Sequence, residues 1–248
     1  MTMKMDLLRQ FERICNTQAA TAGYTSGLCG EWTEERFGRL ANQLNIETSK
    51  MIMANQRHTD KVSVMGAENV GYGVIRPHEE DYFDAMITAA TGVMLCVHTA
   101  DCVPIVLLDP VKKVAGVVHS GWVGTAKHIA GKTVRKMMDE YNCNSADIIC
   151  AMGPYNHSCC YEVGEDVLER FRENFSEIEC EMFFKKKNEE EKYMLDLGAA
   201  ISLSLRQEGV KAENIHDEGL CTYHTSTFSS WRRTGDKKKQ ILTYIMLQ

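Results

Sequence analysis

The chain has 248 residues, of which 44% are hydrophobic and 25% are charged, and these proportions are typical of a globular protein with a sizeable core. The formal net charge of -6 argues against a nucleic-acid partner, and the absence of a run of roughly 18 uncharged apolar residues argues against a membrane-spanning protein. Ten cysteines without a Cys-x-x-Cys spacing favour buried free thiols, so we expect a reduced, cytoplasmic protein.

Hydrophobic periodicity predicts helices and strands in alternation. It predicts a helix over 1–20, a loop over 23–30 and a helix over 34–44 with Thr33 as its N-cap. After an apolar run at 51–54, strands are predicted at 62–65, 93–97, 103–108, 114–118, 148–152, 215 and 241–246. Further helices are predicted at 125–141, 165–175 and 198–208, and a hairpin is predicted from 181–185 and 192–197. This order predicts a single α+β domain over 1–248, with layered mixed β-sheets flanked by helices.

The stretch from Val93 to Thr125 contains reactive side chains that a buried core does not need. Asp101 and Cys102 separate its first two predicted strands, and His119 ends the third. Because a rigid sheet displays loops at the ends of its strands, functional residues concentrate there. We therefore expect the active site in this stretch.

His58, Cys102 and His119 each lie at the polar end of a short apolar run. Two imidazoles and a thiolate suit zinc, and three protein ligands leave the fourth tetrahedral position open, as in catalytic zinc sites. The spacing alone leaves open that these residues are unrelated.

The neighbouring residues have a functional and a structural interpretation. Asp101 could be a general acid or base, or could orient a metal ligand, and the alternative is that it caps a turn. Ser120, Gly121 and Trp122 begin a strand-to-helix turn whose backbone N–H groups could hold an anion such as phosphate. Glycines in such turns are otherwise only structural.

Five segments, in order, resemble the laccase-domain family, which is also called the multicopper polyphenol oxidase or purine nucleoside phosphorylase family. They read QRHTDKV, HTADCVPIVLLD, AGVVHSGWVGTA, MGPYNHSCCYEVGEDV and FSSWRRTGD. The likeness runs from about Glu35 to the C-terminus, and residues 1–30 diverge. It implies a layered α+β fold and a pocket beside a metal held by His58, Cys102 and His119.

The chain departs from the family pattern where phosphate contacts are expected. Val123 stands where the family commonly has arginine, and Asp236-Lys237 replaces its usual Gly-Arg. Arg57, Arg232 or Arg233 could supply the missing positive charge, although Arg232 and Arg233 could equally pair with surface carboxylates. Cys160, in the matched Cys-Tyr-Glu-Val run, could line the pocket or only pack.

The resemblance implies a zinc-dependent purine nucleoside phosphorylase. Its substrates would be phosphate and adenosine, inosine or guanosine, with methylthioadenosine as a further candidate and adenosine deamination as an additional activity. The family also includes a peptidoglycan-precursor editing factor and copper polyphenol oxidases. A single His-Cys-His set lacks the ligands of a copper cluster, so zinc is favoured and copper is the alternative.

The residues by themselves leave other classes of function open. In a Cys-dependent hydrolase, Cys102 would be the nucleophile with His119 or His58 as its base. In a binding protein, zinc would only stabilise the fold. Metal content separates these hypotheses because a zinc-bound Cys102 is not a free nucleophile. The sequence does not predict the oligomeric state.

Overall fold

The structure, a computed structural model, describes residues 7–78, 81–187 and 191–248. Its strands are β1 (Leu8–Gln10), β2 (Ala20–Thr25), β3 (Met51–Met53), β4 (Val62–Val64), β5 (Ala85–Thr88), β6 (Met94–Thr99), β7 (Val103–Asp109), β8 (Val114–Ser120), β9 (Ile149–Met152), β10 (Glu162–Gly164), β11 (Phe184–Lys186), β12 (Lys192–Leu195), β13 (Ile215–Asp217) and β14 (Ile241–Leu247). Its α-helices are α1 (Glu12–Cys15), α2 (Glu34–Leu44), α3 (Trp122–Ala126), α4 (Ile129–Tyr141), α5 (Glu165–Arg172), α6 (Glu177–Phe183), α7 (Leu197–Gln207) and α8 (Trp231–Thr234).

Two large sheets form the centre of the molecule. One has five strands in the order β1-β2-β14-β6-β3, and the other has six in the order β13-β9-β7-β8-β5-β4. They pack face to face, so that fully buried Leu95 and Ile245 of the first sheet share a core with Val106 and Val117 of the second. Both sheets mix parallel and antiparallel pairs, which confirms the predicted α+β class with layered mixed sheets.

Helices cover the outer faces of both sheets. α2 packs Phe37 and Leu40 against Met94 and Leu242 of the five-stranded sheet. α4 packs on the six-stranded sheet, and α7 packs on α4. With both faces covered, β7 and β8 are buried along their whole length, which explains their unbroken apolar runs. Every helix in the described part of the chain is too short or too polar to span a bilayer.

The helix predicted over 1–20 is wrong for the described residues except for the single turn α1, and residues 1–6 lie outside them. The loop predicted over 23–30 is wrong at 23–25, which belong to β2, and right at 26–30. β1, the single turn α1 and β2 occupy this region, and β2 lies between β1 and β14. Gly23 makes this packing possible, because a Cβ there would lie 2.3 Å from the Arg9 carbonyl oxygen and 2.7 Å from the Tyr244 hydroxyl.

Two other predicted elements differ from the structure. The predicted helix 125–141 is divided into α3 and α4 at His128, whose φ of 59° lies in the left-handed region. The predicted hairpin is confirmed by the antiparallel pairing of β11 with β12, although 188–190 in its loop lie outside the described residues. Its first strand begins later than predicted because Ser176 caps α6 through the N–H of Glu179.

Candidate metal centre

His58, Cys102 and His119 come together at one edge of the two central sheets. Cys102 lies in the short turn between β6 and β7, and His119 is the penultimate residue of β8, the strand paired with β7. His58 comes from the loop between β3 and β4. The metal-binding atoms of the three side chains all lie within 4.8 Å of one another.

Asp84, which the sequence did not reveal, organises two of these donors. It lies directly before β5 and is fully buried. One carboxylate oxygen lies 2.7 Å from Nδ1 of His119 and accepts from the N–H of His58, while the other accepts from the N–H groups of Arg57 and Thr59. Because His119 Nδ1 is engaged, Nε2 is the nitrogen free to bind a metal. No local motif distinguishes this aspartate from others in the chain.

The three donors also perturb one another. Burial raises the pKa of Cys102, but His119 and His58 more than offset this effect and lower it to about 6. Burial lowers the pKa of His119, whereas the Cys102 thiolate and Asp84 raise it to about 9. The two histidines thus favour the thiolate form of Cys102, the form of that side chain which binds a metal or attacks an electrophile.

The donor set fits zinc. A tetrahedral zinc ion with Zn–S of about 2.3 Å and Zn–N of about 2.05 Å would place a sulfur and a nitrogen ligand about 3.6 Å apart. Cys102 Sγ and His58 Nε2 are 3.8 Å apart. Gly121 leaves room for them, because a Cβ there would lie 2.7 Å from the His58 ring and 3.1 Å from Cys102 Sγ.

A cavity of about 540 Å³ opens beside these donors. Its other lining residues combine aromatic, amide and charged groups, and they are Gln56, His98, Thr99, Ala100, Asp101, Trp122, Tyr161, Trp231, Arg232, Lys237 and Gln240. Its volume lies within the range of roughly 300 to 1,000 Å³ that is usual for small-molecule sites. The three candidate metal donors thus face a pocket of the size of a small ligand.

A family model described as "Multi-copper polyphenol oxidoreductase laccase" matches residues 23–248. The chain belongs to this family. "Purine nucleoside phosphorylase LACC1" of Homo sapiens is 33% identical over 207 residues, which cover 82% of this chain. "Adenosine deaminase RL5" of an unknown prokaryotic organism is 33% identical over 212 residues, covering 83% of this chain and 78% of that protein.

The solved structure of hypothetical protein YfiH from Bacillus licheniformis has the same fold. It superposes with a TM-score of 0.90 at 26% sequence identity, covering 97% of this chain and 96% of that one. The human relative is a longer protein, and this chain spans 44% of its length.

The structure brings together some of the residues predicted from the sequence and separates others. Asp101, Trp122 and Arg232 line the cavity beside the metal donors. The guanidinium of Arg57 lies over the ring of Tyr82, 5.1 Å from its centroid, outside the cavity wall.

Three further predicted residues, Ser120, Gly121 and Cys160, also lie outside the wall. Ser120 is fully buried, and its hydroxyl is 2.8 Å from that of Thr125 within the turn. Cys160 Sγ lies 3.2 Å from Nε2 of His224. The ligand-binding roles of Arg57, Ser120, Gly121 and Cys160 stay predictions.

Asp101 connects the metal-centre turn to the C-terminal part of the chain. Its φ is 89°, and its two carboxylate oxygens accept from the Thr222 hydroxyl and the Arg232 N–H, each at 2.6 Å. Each oxygen keeps one lone pair for a ligand. Asp101 can therefore stabilise its turn and also take part in proton transfer.

Other cavity residues escaped the sequence analysis. Tyr161 directly follows Cys160 in a matched segment, and Lys237 occupies the position where the family pattern has arginine. Val123, at the other departure from the pattern, is half-buried and lies outside the cavity wall. The sequence thus showed that Lys237 replaces the family's arginine, but it did not show that Lys237 faces the cavity.

Proposed function

We propose that this protein is a zinc-dependent purine nucleoside phosphorylase of the laccase-domain family. The observation that carries the proposal is the donor set of His58, Cys102 and His119 on the wall of a cavity that also presents aromatic rings and two cations. The names of the relatives support the same activity.

The cavity wall suits a nucleoside. Trp122, Tyr161 and Trp231 offer flat apolar surfaces of the kind on which a purine base packs. Gln56 and Gln240 add amide groups that can donate to and accept from base or sugar edges. These groups would select a molecule with a planar heterocycle and several hydroxyls.

Two cations suit phosphate. Arg232 is held in the wall by a hydrogen bond from its guanidinium to the Glu162 carbonyl and by packing over Tyr161. Lys237 forms no ion pair with any carboxylate of the described residues. Charge-assisted contacts from both side chains would hold the anion and replace the arginine that is absent at Val123.

In phosphorolysis, a phosphate oxygen forms a bond to C1′ of the ribose while the bond from C1′ to the purine nitrogen breaks. The electron pair of that bond leaves with the purine, which gains a proton, and the products are ribose 1-phosphate and free base. Arg232 and Lys237 would orient the phosphate, and Asp101 would carry the proton. Zinc, when bound by His58, Cys102 and His119, would supply a Lewis acid with one open ligand position.

Hydrolytic deamination of adenosine is a second candidate activity, supported by the printed name of the relative RL5. Water would replace the amino group at C6 of adenine, and Asp101 would transfer protons between water and the departing ammonia. Zinc is favoured over copper because the described cavity wall contains no methionine that could serve as an axial copper ligand. We retain the predictions of a cytoplasmic location and a nucleoside and phosphate as the ligands.

The test is turnover of inosine and adenosine by the full chain in phosphate buffer and in phosphate-free buffer, together with metal analysis. We expect one zinc ion at the cavity site, loss of that ion in Cys102→Ala, and release of free base only when phosphate is present. Release of base without phosphate would refute phosphorolysis. Full activity of metal-free protein would favour Cys102 as a nucleophile.

The phosphate contact has its own matched pair of variants. Lys237→Ala should raise the KM for phosphate by roughly 10-fold or more, the loss expected for one charge-assisted hydrogen bond. Lys238→Ala is the control, because Lys238 lies outside the cavity wall, 3.8 Å from Glu31. An equal effect of both substitutions would contradict the placement of phosphate at Lys237.

A further inference from the structure

A second group of metal-binding side chains lies outside the cavity wall. We call it the Cys3His cluster, and its members are Cys159, Cys160, Cys221 and His224. One ligand atom from each side chain lies within 4.8 Å of the others. The first donor set uses none of these four residues, and among them only Cys160 was predicted from the sequence, as a residue that could line the pocket or only pack.

Three distances within the cluster match those of a tetrahedral site. Around zinc, two sulfur ligands would be about 3.8 Å apart, and a sulfur and a nitrogen about 3.6 Å apart. Cys159 Sγ lies 3.8 Å from Cys221 Sγ and 3.6 Å from Nδ1 of His224. Cys160 Sγ lies 3.8 Å from the same nitrogen, so Nδ1 is within reach of both sulfurs.

Two turns present the four ligands in pairs. The first turn is closed by hydrogen bonds from the N–H groups of Cys160 and Tyr161 to the His157 carbonyl, and it carries the vicinal cysteines. The second is closed by a bond from the Thr225 N–H to the Cys221 carbonyl, and it has a Cys-x-x-His spacing. Small structural zinc sites commonly take two ligands from each of two turns.

The four ligands differ in their access to solvent. Cys221 is buried at the inner end of the cluster, where its sulfur lies 3.8 Å from Cys159 Sγ. The other two cysteines and the histidine are more accessible, so an ion could enter from solvent.

We propose that the Cys3His cluster is a second zinc site with a structural role. Four protein ligands close the coordination shell, whereas the three donors beside the cavity leave one position open. The ion would link the two turns, and each turn continues into the cavity site. Tyr161 follows Cys160 and lines the cavity, while Thr222 follows Cys221 and donates to Asp101.

The test counts zinc ions per chain in full-length protein purified under reducing conditions with zinc present. We expect two ions in the wild type, one in Cys102→Ala, and one in a Cys160→Ser/His224→Ala double variant. Cys15→Ser, a half-buried cysteine outside both groups, is the control and should keep two. The count requires no turnover, so it is independent of the success or failure of the proposed phosphorylase activity.

Cobalt substitution gives a second readout that does not depend on the stability of one variant. The thiolate-to-cobalt absorption grows with the number of thiolate ligands, so Cys102→Ala should show about three times the intensity of the double variant. One zinc in the wild type and none in Cys102→Ala would overturn the proposal. A Cys159–Cys221 disulfide that persists under reducing conditions, detected by mass spectrometry, would overturn it as well.

Discussion

Replacement of Asp84 by asparagine tests the organisation of the metal centre most directly. The side chain is fully buried and accepts five hydrogen bonds, one from His119, one from His58, one from Arg57 and two from Thr59. An asparagine has the same shape but only one acceptor oxygen. Whichever way its amide points, at least two of these donors face an NH₂ group.

The expected loss follows from that count. A hydrogen bond to a charged group contributes about 1.5 to 3 kcal/mol, so losing two lowers the free energy of unfolding by about 3 to 6 kcal/mol. When the amide NH₂ faces His119, the bond that fixes the His119 tautomer is also lost, which should weaken zinc binding by about 10- to 100-fold. Both effects come from one carboxylate.

The pH dependence has a defined sign. Burial raises the pKa of Asp84, but the hydrogen bonds from His119 and Thr59 outweigh it and hold the pKa at about 2, below the ordinary 3.8. A depressed carboxyl pKa stabilises the fold above the ordinary pKa, and this contribution is lost as the pH falls toward 2. Metal-free wild type should therefore lose stability relative to Asp84→Asn between about pH 4 and pH 2.

The assay is urea unfolding followed by tryptophan fluorescence, together with the zinc Kd from competition with a chelator. Asp109→Asn is the matched control, because Asp109 is equally buried and a single oxygen accepts both of its backbone hydrogen bonds, from Val111 and Lys112. It should keep wild-type zinc affinity. Unchanged zinc affinity and unfolding free energy in Asp84→Asn would refute the role assigned to this carboxylate.

Three further substitutions probe separate parts of the molecule. Gly121→Ala should weaken zinc binding at the cavity site, because its Cβ would collide with His58 and Cys102. Gly38→Ala is the control and should keep wild-type zinc affinity, because nothing lies within 4 Å of its Cβ. A chelator competition assay measures the zinc Kd of both variants. Tyr161→Leu should raise the KM for nucleoside by roughly 10-fold, since stacking contributes about 1 to 3 kcal/mol per base, and unchanged steady-state kinetics would contradict a base-binding role. Phe171→Ala, a fully buried ring in the helical layer, should lower the free energy of unfolding in urea by about 3 to 5 kcal/mol without changing zinc content.

Local sequence patterns determined much of the fold. The buried strands β7 and β8 read as continuous apolar runs because both of their faces are covered. α2 was predicted with its correct ends because its apolar stripe and its Thr33 cap are both local features. β2 was missed because Gly23 and its small neighbours form a strand only when β1 and β14 flank them.

The site residues likewise fall into those that the sequence predicted and those that it did not. Cys102 and His119 could be placed at adjacent strand ends from the sequence, and the family resemblance added His58. Asp84 could not be found, because its importance lies in five donors that converge on it only after β5 pairs with β8.

By itself, the sequence determined the α+β class, the family and the candidate first donor set, because these depend on residue type and order. Only the tertiary structure decided that Lys237 faces the cavity and that Asp84 holds His119. It also decided that the vicinal cysteines at 159 and 160 meet Cys221 and His224. Asp84 and His119 are 35 residues apart in the chain, and Cys159 and Cys221 are 62 apart, so only the packing of sheets and turns brings them together.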